Sequence, residues 1–572
     1  MSLKRSRPTA VVSWGAALIL SLAMLSPAVA AAQRAGTTPR ISAADAEARL
    51  RIIADDSMMG REAGRWGNYL ATSYIESEVR RLGLEPAGDS GGYFQEIPLR
   101  QRVLDPTTTM AVGGSTLELW RDWAPVHPLG SLPLATSVEL SDRPVLYGGR
   151  LGTTDALDSA ATAGAVVVLD ALRDSTGAAR FDFGAVVGAM RHYPTAGALV
   201  ITGLEQLPAE VMQFLRQPGT SLGEPPEQAS TGMGLVFATQ SVAEVIVGRG
   251  GSLDDVAVGD SAPSIAGGYR YVVTPPEAPA RNVIAVLPGS DPLLRNQYVL
   301  ISAHNDHIGM GRPVDHDSLR IYNTLVRPWG ASTRNPVPPT AEQWTEIRTT
   351  LDSVRRLRPP RLDSIYNGAD DDGSGTVAVL EIAEAFAAVP AAERPRRSVI
   401  FMWHTAEEKG LYGSQYFTDH PTVPRDSIVA ALNMDMVGRG QPRDPAAGPR
   451  ILQIIGSRRI STELGDLIEE VNAAPGHGFS FDYSFDAPGH PQQRYCRSDH
   501  YMYARYGIPI SYFSAGYHQD YHQLTDEVQY INYPHLAAIA SLLHDVVAAV
   551  ANRDTRPAID HEIPALSEGC RQ

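Results

Sequence analysis

The second half of the chain alternates short apolar runs with a helical pattern. The apolar runs of strand length cover residues 283–287, 298–302, 399–403 and 429–432. Between the second and third runs, Val379, Ile382, Ala383 and Phe386 recur at helical spacing. Continuously apolar strands are typical of sheets that are buried on both faces. The pattern therefore predicts an α/β fold, a mostly parallel mixed sheet flanked by helices.

Length and charge exclude several classes of protein. The chain has 572 residues, more than one compact core holds at roughly 100–200 residues per domain. Its hydrophobic fraction of 43% is that of a globular protein. With 49 basic and 64 acidic residues the net charge is −15. Because clustered Lys and Arg bind phosphates, this balance argues against a nucleic-acid partner.

The N-terminus has the features of a secretory signal. Lys4, Arg5 and Arg7 precede an apolar stretch over 11–25, and small residues follow at 28–30. The stretch is interrupted and is shorter than the ~20 residues that span a bilayer. We therefore expect a signal peptide over 1–32, a secreted or periplasmic protein, and no stable membrane span after cleavage. Cys496 and Cys570 could pair in such a compartment.

Changes in residue pattern along the chain predict its domain organisation. Helical periodicity over 42–83 gives way, near residue 105, to short apolar runs separated by Gly, Pro and Asp, which is typical of a β-rich module. A Pro- and Arg-rich insertion with one helix, 341–357, interrupts the later α/β part. The predicted segments are 1–32, signal peptide; 33–104, N-terminal part of the catalytic domain; 105–274, inserted module; 275–555, catalytic domain with the insertion 310–362; and 556–572, tail.

Polar residues that can bind metals follow the apolar runs directly. The segments are His304–His307, Asp370–Asp372, Glu407–Glu408, Asp435 and, near the end, His522. In α/β sheets, sites lie at the carboxyl ends of the strands. Carboxylates placed together there would repel one another and resist burial unless a cation compensated them. Histidine and carboxylate ligands suit zinc, so the ordered set predicts a metal site.

In order and spacing, these motifs resemble the co-catalytic zinc exopeptidases of metallopeptidase family 28. The shared elements are His-x-Asp, Gly-Ala-Asp-Asp, Glu-Glu, Asp-Met and a late His, spread over roughly 281–550. The module at 105–274 resembles the protease-associated domain that many members insert. The resemblance implies the fold of the zinc aminopeptidases and a catalytic domain in two pieces.

The resemblance also implies roles for individual residues. It implies two Zn²⁺ per chain, whose ligands would be His304, Asp370, Glu408, Asp435 and His522, with Asp370 shared by both ions. Glu407 would be the general base, and Asp306 would accept a hydrogen bond from His304. A cis peptide would join Asp370 to Asp371. His307, His404, His500 and His518 are predicted to be structural or to support the ligands, and Tyr517 or Tyr521 to stabilise an oxyanion.

The function implied is a secreted metallo-exopeptidase, most simply an aminopeptidase, that hydrolyses a peptide or small-protein substrate with water activated by the two zinc ions. The alternatives are a carboxypeptidase or a glutaminyl cyclase on the same fold, and a catalytically inactive binding protein. The Gly-x-Ser-x-Gly pattern at Ser90 follows the end of a helix rather than a strand, so we interpret it as a turn. Residues 310–362 are open to two interpretations, a lid or a surface excursion.

Overall fold

The computed structural model describes most of the chain after residue 35. The residues that it describes are 36–127, 134–152, 157–173, 179–207, 209–223, 232–247, 253–262, 264–333, 337–441, 450–563, 566 and 569–572. The predicted signal peptide, residues 1–32, lies outside the described residues.

The described residues form both α-helices and β-strands. The α-helices are α1 Ala43–Ile53, α2 Trp66–Arg81, α3 Phe183–His192, α4 Ala209–Arg216, α5 Gln240–Ile246, α6 His316–Val326, α7 Ala341–Arg355, α8 Gly375–Ala387, α9 Tyr412–Asp419, α10 Thr462–Asn472, α11 His500–Ala504 and α12 Tyr533–Asn552. The strands are β1 Glu85–Pro86, β2 Phe94–Ile97, β3 Leu99–Leu104, β4 Thr109–Val112, β5 Ser115–Thr116, β6 Trp123–Pro125, β7 Ser137–Glu139, β8 Val145–Arg150, β9 Val166–Asp170, β10 Leu172–Arg173, β11 Ala179–Arg180, β12 Ala198–Thr202, β13 Gly219–Leu222, β14 Gly234–Ala238, β15 Ser261–Ala262, β16 Ile265–Thr274, β17 Ala280–Leu287, β18 Tyr298–His304, β19 Met310–Asp315, β20 Leu362–Ile365, β21 Ser398–His404, β22 Ile428–Met434, β23 Ile451–Ile455, β24 Ser480–Asp482 and β25 Ile510–Ser514.

The largest sheet has nine strands and a parallel centre. Its order is β1-β17-β21-β18-β22-β25-β23-β24, with β2 also paired to β17. The neighbours β21, β18, β22 and β25 run parallel, whereas β17 and β23 pair antiparallel with the ends of this central group. The four predicted apolar runs are the strands β17, β18, β21 and β22. The α/β prediction is confirmed.

Helices cover both faces of this sheet. On one face α1, α2, α8, α10 and α12 share one apolar core with the strands; on the other, α9 and α11 share a second. Among the described residues, α12 is the helix long and apolar enough to cross a bilayer, and half of its most apolar stretch is buried within the fold. A disulfide joins Cys496 to Cys570, with 5.6 Å between their Cα atoms, and ties the C-terminal tail to this second face.

Strands from 99 to 274 form the two-stranded pair β10-β11 and two further six-stranded sheets. One has the order β15-β8-β9-β12-β14-β6 with a parallel centre; the other is antiparallel, with the order β13-β3-β16-β4-β5 and β7 beside β16. The predicted boundary at 104 assigns β3 to the catalytic piece, but β3 pairs with β13 and β16. The chain leaves the nine-stranded sheet at Pro98, because proline cannot donate to a strand ladder.

Residues 310–362, which we call the excursion, carry two helices rather than the one predicted. The excursion begins with β19 and leads into β20, which pairs with β19. Between these strands, α7 is the helix that the sequence predicted, and α6 is the helix that it did not predict. Asn323 of α6 donates to the side chain of Gln523 at 3.2 Å, and the Ala331 amide donates to the Tyr521 carbonyl at 3.1 Å. The excursion therefore packs on the loop that carries His522.

Candidate metal centre

Three neighbouring parallel strands deliver side chains to one edge of the sheet. β18 ends at His304, which lies beside His404 at the end of β21. Glu407 and Glu408 follow β21 after a short turn, and Asp435 follows the last residue of β22. Because parallel strands present their carboxyl ends together, residues far apart in the chain meet here.

Two groups of potential metal ligands form at this edge and share one residue. The first group is His304, Asp371 and Asp435; the second group is His307, Asp371, Glu408 and His522. One oxygen of Asp371 lies 3.3 Å from His304 Nε2, and the other lies 2.9 Å from His522 Nε2. Within each group the candidate ligand atoms all lie within 4.8 Å of one another. Asp371 can therefore bridge two ions.

The residue shared by the two groups is Asp371, whereas the motifs led us to expect Asp370 in that position. The Asp370 carboxylate faces away, 3.0 Å from His518 Nε2, and accepts the Gly438 amide at 2.6 Å. The cis peptide likewise joins Asp371 to Asp372, one residue later than expected. Asp526 fixes the register, because its carboxylate accepts the amides of both Asp370 and Asp371 at 3.0–3.1 Å.

The side chains of the two groups leave buried polar atoms without hydrogen bonds, and a metal ion could bind these atoms. Buried polar atoms that make no hydrogen bond with the described residues include His304 Nε2, both ring nitrogens of His307, Asp371 Oδ2 and Glu408 Oε1. Burial raises the pKa of Asp435 to about 7. Burial would also raise the pKa of Glu408, but the neighbouring His522 charge holds it at about 2. Orphaned buried donors and crowded carboxylates are what a divalent cation would satisfy.

His307 is the residue that the sequence analysis missed, since it was interpreted as structural or supporting. Its ring is fully buried, and Nδ1 lies 2.9 Å from Glu408 Oε1 and 3.9 Å from Asp371 Oδ2. The available signal was its position: His304 and His307 both stand at the end of β18. A histidine three residues after a candidate ligand is ambiguous in sequence, because the turn after the strand decides where it points.

Asp306 contacts both His304 and the loop that carries Glu407 and Glu408. Its carboxylate accepts the Glu407 amide at 3.0 Å and the Glu408 amide at 3.4 Å. His304 Nδ1 lies 3.1 Å from the Asp306 carbonyl and 3.6 Å from its carboxylate, so the carbonyl is the closer acceptor. The expected hydrogen bond from His304 to Asp306 is therefore made mainly by the main chain.

Glu407 lies beside both groups without belonging to either. Its Oε2 is 4.0 Å from His304 Nε2, and its side chain is largely buried. Burial raises the pKa of the Glu407 carboxyl well above its usual range. A carboxyl with a raised pKa next to metal ligands is suited to accept and return a proton.

The remaining candidates are spread around the centre. His404 bonds the Tyr503 hydroxyl at 2.9 Å, and His500 stacks on Tyr512 with 4.7 Å between centroids. His518 accepts the Asp520 amide on Nδ1, which leaves its Nε2 proton for Asp370. These placements agree with supporting roles.

Tyr517 and Tyr521 stack on each other at 4.2 Å, and Tyr521 stacks on His522 at 4.0 Å. They line what we call the cleft, the space bounded by Glu407, Asp435, Arg497, Tyr517, Tyr521 and His522.

The backbone is strained at three turns that carry the site. Ala406 before Glu407, Met436 after Asp435, and His522 itself have φ values of 57°, 60° and 53°. L-residues rarely adopt this left-handed region, and such strain concentrates at functional sites.

Arg61 connects the end of α1 with the loop after β18 and the loop before α8. Its buried guanidinium donates to the carbonyls of Ile53, Asn305, Asn367 and Gly368 at 2.6–3.2 Å. Burial lowers the pKa of Arg61, and the neighbouring charges of Asp372, Asp371, Asp306 and Asp526 oppose this shift.

Comparison with known proteins agrees with the resemblance seen in the motifs. The family model described as "Peptidase family M28" matches residues 282–547, which contain both candidate metal groups. Over these residues, which we call the M28 domain, the chain is similar to that family. The M28 domain coincides with all of the nine-stranded sheet except β1, β2 and the first two residues of β17.

Curated relatives match part of the chain. Leucine aminopeptidase 1 of Penicillium rubens is 27% identical over 226 residues, 38% of this chain and 56% of that protein. Leucine aminopeptidase 1 of Ajellomyces capsulatus is 30% identical over 236 residues, 40% of this chain and 58% of that protein. The chain thus spans a little over half the length of these relatives.

Among solved structures, a zinc aminopeptidase from Bacillus subtilis shares the fold beyond the M28 domain. The TM-score is 0.52 at 15% identity, covering 92% of this chain and 99% of that chain. At this identity the likeness concerns the fold alone.

Proposed function

We propose that this protein is a zinc-dependent exopeptidase, and specifically an aminopeptidase, that uses two zinc ions. The observation that carries the proposal is the pair of ligand groups that share Asp371, with the buried Glu407 beside them. The family match and the names of the leucine aminopeptidase relatives support the reaction type. The Bacillus subtilis protein that shares the fold is a zinc aminopeptidase, which supports zinc as the metal.

The residues of the two groups divide between the ions. His304 and Asp435 would hold one ion, Glu408 and His522 the other, and Asp371 both, while His307 joins the second group. Ser498 donates to Asp435 at 2.8 Å and fixes the orientation of that carboxylate. When bound, zinc ions lower the pKa of water and polarise a carbonyl.

Glu407 would move the proton. Hydrolysis forms a carbon–oxygen bond from water, breaks the carbon–nitrogen bond and delivers a proton to the leaving amine. Glu407 belongs to neither ligand group and its pKa is raised by burial, so it can accept the water proton and return it to the amine. Asp306, through the Glu407 amide, holds this carboxyl in place.

The first test is Glu407→Gln. We expect the variant to keep its zinc content and to lose activity on leucine p-nitroanilide by about 10²–10⁴-fold, because a proton carrier is removed and no ligand is. Zinc per chain is measured by mass spectrometry, and turnover by absorbance.

The matched control is Glu346→Gln, which makes the same change on the exposed face of α7. It is expected to keep full activity. Near-wild-type turnover by Glu407→Gln would exclude the assignment, and wild-type protein that binds no zinc would exclude the metallopeptidase.

Secretion and the inserted domain belong to the same proposal. The N-terminal pattern supports export, and an oxidising compartment would preserve the Cys496–Cys570 disulfide. The two sheets between 99 and 274 are proposed to be a protease-associated-like domain beside the cleft; the Tyr412 hydroxyl of the M28 domain donates to the Thr220 carbonyl of β13 at 3.2 Å.

The rival functions have weaker support. Ser90 lies in an exposed turn, an unsuitable place for a nucleophile. A glutaminyl cyclase needs one zinc, whereas the residues here form two groups. An inactive binding protein would not need Glu407.

A further inference from the structure

Two arginines reach the cleft without an ion pair to any acidic side chain that the structure describes. Arg494 is buried and donates to the neutral side chains of Gln453 at 2.6 Å and Gln492 at 3.1 Å. Arg497 is exposed, and within the described part of the chain its guanidinium has no hydrogen bond or ion pair. Both side chains line the cleft.

The two guanidinium groups are placed around one aromatic ring. The guanidinium carbon of Arg494 lies 3.7 Å from the Tyr517 centroid, and that of Arg497 lies 5.9 Å from it. Cations at such distances are attracted to the ring face. Tyr517 thus keeps two positive charges at the cleft while leaving the donors of Arg497 free.

Two other arginines near the centre, Arg320 and Arg439, both pair with the buried Asp520. Arg497 lies close enough to Glu407 for their charges to interact, but the two side chains form no ion pair. A free guanidinium fork matches the two oxygens of a carboxylate, so the missing partner is an anion supplied by the ligand.

The position of Arg497 indicates which part of a substrate carries that anion. Arg497 and Glu407 both line the cleft with Tyr517 and Tyr521. Since Glu407 must face the leaving amine to protonate it, the leaving residue lies in the cleft that Arg497 also lines. In a dipeptide this residue bears a free α-carboxylate; in a longer peptide, a peptide bond replaces it.

We propose that Arg497, with Arg494 behind it, binds the α-carboxylate of the leaving residue, and that dipeptides with a free C-terminus are the preferred substrates. This inference rests on the proposed peptidase function and adds a substrate class to it.

The experiment compares Leu-Gly with Leu-Gly-amide, which differ only in that carboxylate. We expect wild-type kcat/KM to favour Leu-Gly by at least about tenfold, mainly through KM, as a charge-assisted contact should. Arg497→Gln should remove most of this preference by raising KM for Leu-Gly, and change the amide less than about threefold. Arg497→Lys should recover part of it.

Arg348→Gln, an exposed arginine of α7, is the matched control and should change neither substrate. Equal wild-type kcat/KM for acid and amide would overturn the proposal. So would an Arg497→Gln variant that loses kcat equally on both substrates, since that result would assign Arg497 to the transition state rather than to a carboxylate.

Calorimetry separates this proposal from the peptidase function. Titration of zinc-loaded Glu407→Gln protein with each compound measures binding without turnover. Tighter binding of Leu-Gly, lost in the double variant with Arg497→Gln, supports the carboxylate site even if wild-type protein hydrolyses neither compound. Equal binding overturns it even if the protein is a peptidase.

Discussion

At the scale of residues, Asp370 and Asp371 are neighbours of the same chemical type with different surroundings. Asp371 touches two imidazoles of the candidate centre, while Asp370 is held by His518 and the Gly438 amide. The turn between Gly368 and Ser374 rotates their side chains to opposite sides. Residue type alone does not tell which of the two aspartates faces the candidate metal centre. The structure shows that it is Asp371.

A matched pair of variants tests it. Asp371→Asn should weaken zinc binding by at least about tenfold, because both proposed ions lose a shared charge. Asp370→Asn should keep the zinc content, since its carboxylate faces His518. Zinc retained after dialysis is measured by mass spectrometry, with circular dichroism to check folding. Loss of zinc from Asp370→Asn alone would restore the assignment made from sequence.

At the scale of elements, the site depends on how loops are held together. Arg61 connects the end of α1 with the loops after β18 and before α8 through main-chain carbonyls. These loops carry His307 and Asp371. Backbone carbonyls gathered around one guanidinium make the three loops a single unit.

Replacing Arg61 with Lys should destabilise this unit. A lysine keeps the charge but cannot reach four carbonyls in different directions, so we expect the free energy of unfolding to fall by about 2–4 kcal/mol. Urea denaturation measures this change. Arg51→Lys, on the exposed face of α1, is the control and should stay within about 0.5 kcal/mol. Equal effects would show that the carbonyl contacts contribute little.

At the scale of the whole molecule, the disulfide connects the C-terminus to the cleft. Cys496 lies between Arg494 and Arg497, and its partner Cys570 is 74 residues away. The Tyr495 amide also donates to the Gln572 side chain at 3.0 Å. These two contacts hold the C-terminal tail against the turn that carries Arg494 and Arg497.

The double variant Cys496→Ser, Cys570→Ser should lose about 2–4 kcal/mol of stability, because the unfolded chain regains the entropy of a long closed loop. Urea denaturation with and without reductant measures it. Reductant should destabilise the wild type by a similar amount and leave the double variant unchanged. A reductant effect on both proteins would exclude the disulfide as its cause.

Much of the fold followed from local pattern. The strands β17, β18, β21 and β22 and the helix α8 are long, strongly patterned elements, and the sequence located each of them. The first helix of the excursion, α6, was missed because its polar surface obscures the periodicity; its Asp317 pairs with Arg355 and Arg358. The boundary at residue 104 was misplaced because the strand β3 looks the same in either sheet.

The sequence by itself determined the chemistry: which residue types follow the buried strands, and in what order. His304, Glu408, Asp435 and His522 were named as candidate ligands this way, because ligand type and strand ends are local properties. Only the tertiary structure decided that both groups share Asp371, that His307 joins the second group, and that Arg497 lies at the cleft without an ion pair to the described residues. Those facts depend on the direction of side chains in turns, which is set by contacts such as Asp526 and Arg61 from distant parts of the chain.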